Sequence, residues 1–486
     1  VTDDVVFGSG QEDFQQAEWL AHQMGGQWRY DHTAGCWHHW DGRRWARDDT
    51  AAVLHEVASL AARSLDPKDM SVPPPDTDGE RKAMTKLLGI PVQKRALEAL
   101  ATFPGYGTNG DDWDSDPHLL GVDNGIVDLR TNTLIQNPEP TMLVTKSALV
   151  PFRAIHAAME AEKRAPTFMR VMREWMSGDE DMVWFLLFWF GASLFGMSPE
   201  QRFLLMTGIG RNGKGALKHA VLGACGEYAE ELDPALYMRT KHGGARSNEA
   251  RADLVKLKGL RVSFFSEPSG GAFNEELLKA HTGGDRISAR ALYSNNIQSW
   301  DPTHSISFLT NDLPSVEDVG PSMGERVMVA DFRESYEGDR QDRSLYKKLS
   351  RETEGILAIL VWAASIWFQR FDSEVGGLVL PGRVVEQSKA FIERNDPISN
   401  WMNERCERGR DEHSQSQLAY ESYMSWHTTS GAPGEAMSSV KWALAMQKKG
   451  FTKERTKFGI RWTGFRLLGA MALADRGIGD DEEEAP

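Results

Sequence analysis

The sequence predicts a multidomain α/β protein: a parallel-sheet nucleotide-binding core, an α+β unit before it, and a helical unit ending in a wing after it. Three observations lead there. Residues 203–217 read FLLMTGIGRNGKGAL, an apolar run, a glycine-rich turn and the opening of a helical pattern. Two further apolar runs, LRVSFFS at 260–266 and SISFLT at 305–310, are each closed by a polar residue. Near the C-terminus, three helical stretches precede the alternating segment FTKERTKFGIRWTGFRLL.

Composition sets the outer bounds. A chain of 486 residues with 41% hydrophobic content builds about three domains. The net charge of −15 excludes a protein that coats nucleic acid with its whole surface, so any such site is a local basic patch or a pore. Three well-separated cysteines, Cys36, Cys225 and Cys406, fit a reducing compartment and argue against a disulfide scaffold. The opening VTDDVVFGSGQEDF is acidic and polar, unlike a secretory leader. The most apolar run, Met182 to Met197, is short for a membrane span and reads as a buried core helix.

In chain order, Gln11 to Met24 is helical. The aromatic stretch QWRYDHTAGCWHHWDGRRW carries Gly and Asp-Gly turn signals and reads as two or three short strands. His32, Cys36, His38 and His39 lack a CxxC pair, so packed aromatics are preferred over a zinc site. Thr50 to Leu65 is an amphipathic helix, and SVPPPDTDGE breaks the chain before two more helices. Asp111, Asp112, Asp114 and Asp116 read as a solvated loop rather than a metal dyad. NGIVDL and TLIQ form a hairpin. Residues from about 166 to 200 are helical. From Pro381, helices over Arg383–Cys406, Ser416–Thr428 and Glu435–Lys449 precede the wing, and the chain ends in the acidic DDEEEAP.

The 203–217 stretch has the strand–loop–helix context of a phosphate-binding loop. Gly208, Gly210 and Gly213 let the backbone curl its N–H groups around a polyphosphate, with Ile209, Arg211 and Asn212 completing the loop. The helix opening at Lys214, Gly215 and Ala216 points its positive end at the same anion, and Lys214 reaches the outer phosphates. One position departs from the usual pattern. The Ser or Thr whose hydroxyl binds Mg²⁺ is here Gly215. Water or Ser266 is left to fill that gap, and Gly215→Ser is expected to bind Mg²⁺-ATP at least as well as the native chain. A ligand-free turn is the alternative.

Three further residues complete a catalytic set. Glu267, at the tip of a strand beside the loop, suits holding Mg²⁺ through water and orienting the attacking water. Asn311, at the end of SISFLT, suits sensing the γ-phosphate. Arg326, just before VMVADF, suits an arginine finger acting on a neighbouring subunit's ATP. Each is weak alone; their order and spacing carry the reading.

Between Glu267 and Asn311 lies NEELLKAHTGGDRISARALYSNNIQSWDPT. With GIGRNGKG, SFFSEP, FLTNDLP and GERVMVADF, it resembles the superfamily 3 helicases, in the phage, plasmid and large-DNA-virus primase-helicase branch. Upstream, WDSDPHLLGVDNGIVDLRT and WRYDHTAGCWHHWDGRRW are similar to that branch's pre-helicase domain. The resemblance implies an AAA+-like ATPase using ATP and Mg²⁺, assembled as a hexameric homo-oligomer on single-stranded DNA and unwinding duplex 3′ to 5′ in the host cytoplasm. A separate primase or polymerase is an expected partner, because about 65 residues before the shared region are too few for a primase domain. The resemblance also implies a pore hairpin over Ile287–Trp300. Lys279, Arg286 and Arg290 would supply phosphate contacts, Tyr293 a stacking face, and Asn295 and Asn296 the turn. Pairing of Arg286 with Asp285 or a neighbouring subunit is the alternative.

The expected domains are an N-terminal unit over 1–165, the ATPase over 166–375, a winged-helix domain over 380–475 and a tail over 476–486. Lys441, Lys448, Lys449, Lys453, Arg455 and Lys457 give the C-terminal unit a basic face for duplex DNA, the alternatives being a solvated surface or a protein-docking module. Deletion after about 380 is expected to weaken DNA loading and spare basal ATP hydrolysis. An origin-recognition or assembly platform with weak ATPase activity, or a DNA-packaging ATPase, are the competing functions.

Overall fold

A computed structural model describes residues 9–197, 200–239, 252–268, 271–290, 297–316, 319–373, 376–432, 435–457 and 459–469. The N-terminal region is α+β. Strands β1 (Trp28–Asp31), β2 (Cys36–Trp40) and β3 (Trp45–Arg47) form the antiparallel meander expected from the aromatic stretch. The two-residue strand β4 (Gly107–Thr108) joins it in parallel beside β1. Helices Ser9–Met24, Ala52–Leu65, Asp78–Lys86 and Ile90–Leu100 pack on this sheet around Leu20, Trp28, Val57, Leu97 and Leu100. Thr77 and Glu80 form a capping box that starts the third of them. A second meander, β5 (Leu119–Val122), β6 (Gly125–Asp128) and β7 (Thr133–Ile135), leads toward the core.

The core sheet has five strands: β8 (Phe203–Thr207), β9 (Ala229–Leu232), β10 (Val262–Ser266), β13 (Ser305–Thr310) and β14 (Val327–Asp331). All pair in parallel, in the order β14-β8-β13-β10-β9. The four strands other than β9 are buried on both faces, which explains their largely apolar runs, whereas the edge strand β9, AEEL, buries only Leu232. In β8, Leu204 and Met206 enter the core shared with helices Glu180–Ser193 and Thr353–Phe371, while Phe203 and Leu205 face the core built around Phe308 and Tyr237. Helix Thr353–Phe371 is long and apolar enough to cross a membrane, yet 61% of its apolar window is buried in the protein. Met182 onward forms the expected buried helix, ending at Ser193.

The crossover between β10 and β13 carries helix Glu275–Gly283 and an antiparallel hairpin, β11 (Ile287–Arg290) and β12 (Ile297–Trp300), with Ile287 opposite Trp300 and Arg290 opposite Ile297. Arg261, 4% exposed, fastens the N-terminal meander to the core. Its guanidinium donates to the carbonyls of Leu119 and Leu194 and lies 4.6 Å from the Tyr228 ring centroid.

The C-terminal unit departs from its expected outline. The stretch read as one helix over Arg383–Cys406 is two, Gly382–Arg394 and Pro397–Arg405, because Pro397 disfavours the helical conformation at Asp396. Cys406 does not end a helix but opens strand β15 (Cys406–Gln415), which joins β16 (Thr452–Thr456) and β17 (Gly459–Leu467) in the order β15-β17-β16. Helix Gly382–Arg394 packs against the outer edge of β14. There the Ser388 hydroxyl accepts from the Val329 N–H at 2.9 Å, and Arg383 donates to the Asp331 carboxylate and carbonyl, both at 2.6 Å. A boundary at 380 therefore cuts through a packed face of the core.

Candidate functional site

The register places three strand ends side by side. Thr207 of β8 pairs with Thr310 of β13, and Leu309 pairs with Ser266 of β10. Gly208, Asn311 and Glu267 therefore leave the sheet at the same carboxyl edge, where open α/β sheets bind ligands. Because β13 lies between β8 and β10, Asn311 emerges between the phosphate loop and the carboxylate.

The loop is left-handed at Gly208, Gly210, Arg211 and Gly213, with φ of 155°, 93°, 48° and 97°. Left-handed residues interspersed in this way fold successive N–H groups around one concavity, an anion nest. Two glycines are also sterically required. A Cβ on Gly213 would lie 2.3 Å from the Trp175 indole nitrogen, and one on Gly208 would lie 2.1 Å from the Asn212 amide and 2.4 Å from the Phe332 carbonyl. The Tyr336 N–H donates to the Arg211 carbonyl at 2.9 Å and the Phe332 N–H to the Thr207 carbonyl at 2.8 Å, so the segment after β14 braces the loop. Ile209 stands 83% exposed at its tip, and Ala216 is buried below.

Lys214 opens helix Lys214–Cys225 and is 5% exposed. Its ammonium donates to the Gly208 carbonyl at 2.9 Å and to Asn311 Oδ1 at 3.1 Å. Burial lowers its pKa to about 8, with the negative charge of Glu267 opposing the shift. Glu267 is exposed and holds φ of 49°, a strained value for a side-chain-bearing residue, while its N–H donates to the Leu309 carbonyl at 2.7 Å. The lysine, amide and carboxylate predicted from sequence thus belong to one site.

The residues fit a magnesium triphosphate. The nest and the buried ammonium suit the phosphates, and a single strand-end carboxylate suits Mg²⁺, which is held through one or two carboxylates, water and substrate phosphates. Ser266 is not free to replace the missing hydroxyl. It accepts from Lys218 Nζ at 2.9 Å and hydrogen-bonds Glu231, the second partner of that lysine.

Arg326 is brought to the opposite end of the sheet. Its carbonyl accepts from the Phe203 N–H at 2.8 Å, where β8 begins. Five residues of strand at ~3.3 Å each put it roughly 16 Å from its own phosphate loop. Its guanidinium donates to the Ser322 carbonyl at 2.7 Å, and its Nε is buried without a partner.

On the hairpin, Ile287 and Ala289 are buried, while Arg286, Ser288 and Arg290 share the outer face. Arg286 lies 3.5 Å from Asp301 and 4.0 Å from Asp111; these are exposed pairs, worth little in solvent. Lys279 lies on the preceding helix. Tyr293, Asn295 and Asn296 fall outside the described residues. In the C-terminal unit, Lys441, Lys448, Arg455 and Lys457 are exposed. Lys449 is instead bound to Asp396 at 2.6 Å and Ser399 at 2.8 Å, and Lys453 lies 4.7 Å from the Trp462 ring centroid. Those two exposed lysines thus already have partners within the unit. Of the residues considered for zinc, His32 bonds the Ala101 carbonyl and His38 packs at a tilt against Trp113, ring centroids 4.7 Å apart. Among the described residues, no group of three His, Cys, Asp or Glu could hold a metal.

The family described as D5 N terminal like matches residues 17–177. Over 309 residues the chain is 24% identical to "Putative helicase L207/L206" of Acanthamoeba polyphaga mimivirus, covering 60% of this chain and 31% of that protein. Over 291 residues it is 24% identical to "Putative helicase 022R" of Frog virus 3 (isolate Goorha), covering 57% and 29%. Over 185 residues it is 26% identical to "Putative primase C962R" of African swine fever virus (strain Badajoz 1971 Vero-adapted), covering 37% and 18%. The chain is thus similar to primase-helicase-type proteins of large DNA viruses.

The chain spans less than a third of the length of each of those relatives. Among solved structures, the apo NrS-1 C terminal region (305-718) aligns over 93% of this chain and 99% of that one, with a TM-score of 0.49 and 12% identity. The D5 N terminal like match ends before the glycine-rich loop. Sequence reasoning missed three of its parts: Lys218, Trp175 and Tyr346. Lys218 had a local signal, lying one helical turn beyond Lys214 on the same face. Trp175 and Tyr346 had none, since only the fold brings them to the loop, Trp175 beside Gly213 and the Tyr346 hydroxyl 3.2 Å from where a Cβ on Gly215 would lie.

Proposed function

We propose that this chain is an ATP-driven replicative DNA helicase of superfamily 3, with an AAA+-like core. The observation that carries the reading is the placement of β13 between β8 and β10, which gathers Lys214, Asn311 and Glu267 at one sheet edge and leaves Arg326 at the other. The names of the viral relatives support it. Lys214 draws the outer phosphates into the nest, exchanging its bonds to Gly208 and Asn311 for the nucleotide. Asn311, released, turns its amide to the γ-phosphate and the attacking water. Glu267 is the residue that would hold the metal, and its carboxylate accepts the proton of the attacking water. Bound magnesium supplies charge neutralisation at the phosphates.

Arg326, too far from its own loop, acts on the neighbouring protomer's nucleotide, which makes the active unit a ring, six-membered by resemblance. The hairpin face of Arg286, Ser288 and Arg290 grips single-stranded DNA in the pore, and the C-terminal helices and sheet form a winged-helix unit that meets duplex. Translocation 3′ to 5′, an origin in a phage or other mobile element and residence in the host cytoplasm belong to the same proposal.

The test is strand displacement on a forked duplex with DNA-stimulated ATP turnover. Lys214→Ala and Arg326→Ala each abolish both activities, and mixing the two variants restores turnover at interfaces that pair an intact loop with an intact arginine. No recovery on mixing defeats the shared-site arrangement. The missing hydroxyl at Gly215 favours a second reading, a nucleotide-binding platform with weak ATPase activity; binding without DNA-stimulated turnover would select it.

A further inference from the structure

The missing side chain at Gly215 leaves a gap that another element fills. In a helix every Cα–Cβ bond tilts toward the N-terminus, so a side chain at 215 would project over the helix mouth where the phosphates dock. An ideal Cβ there lies 3.2 Å from the Tyr346 hydroxyl, closer than ordinary contact, so the phenol already occupies the space a serine or threonine would enter. Tyr346 sits on the short helix Leu345–Leu349, half exposed. Its ring lies 4.8 Å from that of His219, which is four residues beyond Gly215 on the same helix face. The His219 ring bonds the Ser350 hydroxyl at 2.9 Å, and that hydroxyl donates to the Tyr346 carbonyl at 3.0 Å. Lys348 and Asp342, 2.7 Å apart, brace the same helix. The ring is therefore held in place from its backbone and from one face, while its hydroxyl bonds none of the described residues. Ser266, the other hydroxyl at this edge, is committed to Lys218 and Glu231.

We propose that the Tyr346 hydroxyl replaces the absent serine or threonine hydroxyl, hydrogen-bonding the phosphate–magnesium unit of the bound nucleotide from a different segment of the chain. Gly215 and Tyr346 are then a matched pair: the glycine is required because the tyrosine stands where its side chain would be. The inference rests on the phosphate-loop reading of the site.

The experiment titrates the full chain with a methylanthraniloyl-labelled ATP, in Mg²⁺ and in EDTA, and reads affinity rather than turnover. Tyr346→Phe, which keeps the ring and its packing on His219, weakens binding about tenfold in Mg²⁺, the loss of one hydrogen bond to a charged group, and leaves binding in EDTA unchanged. Gly215→Ser alone also weakens binding in Mg²⁺, because the new side chain meets the phenol. Gly215→Ser combined with Tyr346→Phe recovers to within about threefold of the native chain, less than half a decade of affinity. Equal affinity of Tyr346→Phe and native chain in Mg²⁺, or a double variant no better than Tyr346→Phe, overturns the pairing. Lys214→Ala separates the two levels. If it binds as tightly as the native chain, the phosphate-loop reading itself falls; if it loses binding while Tyr346→Phe does not, only the tyrosine's role falls.

Discussion

Nucleotide binding to this chain should take up a proton, in an amount set by one buried lysine. Lys214 is almost fully enclosed, and burial lowers its pKa to about 8. At pH 8 about half of the unliganded molecules therefore carry a neutral amine there. A triphosphate against the nitrogen favours the charged form and restores an ordinary lysine pKa, so binding draws in about 0.5 proton at pH 8, about 0.1 at pH 7 and about 0.9 at pH 9. The sign for the unliganded fold is opposite to that of a salt-bridged lysine. The folded state prefers the neutral amine, so its stability rises with pH between about 8 and the ordinary value of 10.5, and the cost of burying the charge is fully present below 8. Isothermal titration with ATP in buffers of different ionisation enthalpy measures the uptake. Lys214→Arg stays charged throughout and should remove the pH-dependent part. An uptake near zero at pH 8, or the same uptake in Lys214→Arg, would refute the argument that this ammonium is held neutral by burial and recharged by phosphate.

Two further outcomes test the architecture around the site. Gly213→Ala must hold a Cβ at φ of 97° against the Trp175 indole, whereas Gly210→Ala has a similar φ of 93° and no atom nearer than 3.9 Å. Gly210→Ala should cost only backbone strain, ~1–2 kcal/mol, and Gly213→Ala roughly 1–3 kcal/mol more for overpacking, read from urea midpoints; equal losses would mean that Trp175 yields freely. Truncation after Asp396 should leave a monodisperse chain with basal ATP turnover, whereas truncation after Leu380 strips helix Gly382–Arg394 from β14 and should aggregate through the bared edge on size-exclusion chromatography. A monodisperse, equally active 1–380 fragment would show that the helix is dispensable to the core.

What could be read from the chain follows from how local each feature is. The turn after β8 was legible because three of its four left-handed residues are the closely spaced glycines Gly208, Gly210 and Gly213. Four of the five parallel strands were legible because burial on both faces forces apolar runs such as FLLM and VMVA, whereas the edge strand β9, AEEL, carries no such run. The hairpin was placed by resemblance, and its two strands lie where that resemblance put them. Strand β15 was invisible for the converse reason. CERGRDEHSQ buries only Cys406 and Ser414, so it presents no apolar alternation, and its pairing with β17 is interrupted between Arg408 and His413. The helix break at Pro397 was written in the sequence and passed over. The role of helix Gly382–Arg394 was not written there, because its contacts run through Ser388 and Arg383, polar residues that look like surface until the edge of β14 is placed beside them.

Gly215 shows the same limit in its sharpest form. Read along the chain, it is a defect in a phosphate-binding motif, and the natural expectation is that serine there would restore what is missing. The proposed pairing reverses that expectation, because a Cβ at Gly215 would lie 3.2 Å from the hydroxyl of Tyr346, on a helix that no spacing rule connects to the loop. A motif records which atoms one segment supplies. The ligand requires only that the atoms arrive, and a hydroxyl delivered from a neighbouring helix meets the same hydrogen-bonding need at the same edge of the sheet. On the proposed pairing, the departure that most weakens the motif marks a site whose chemistry is shared by two segments, and the double substitution measures the coupling that neither single one can.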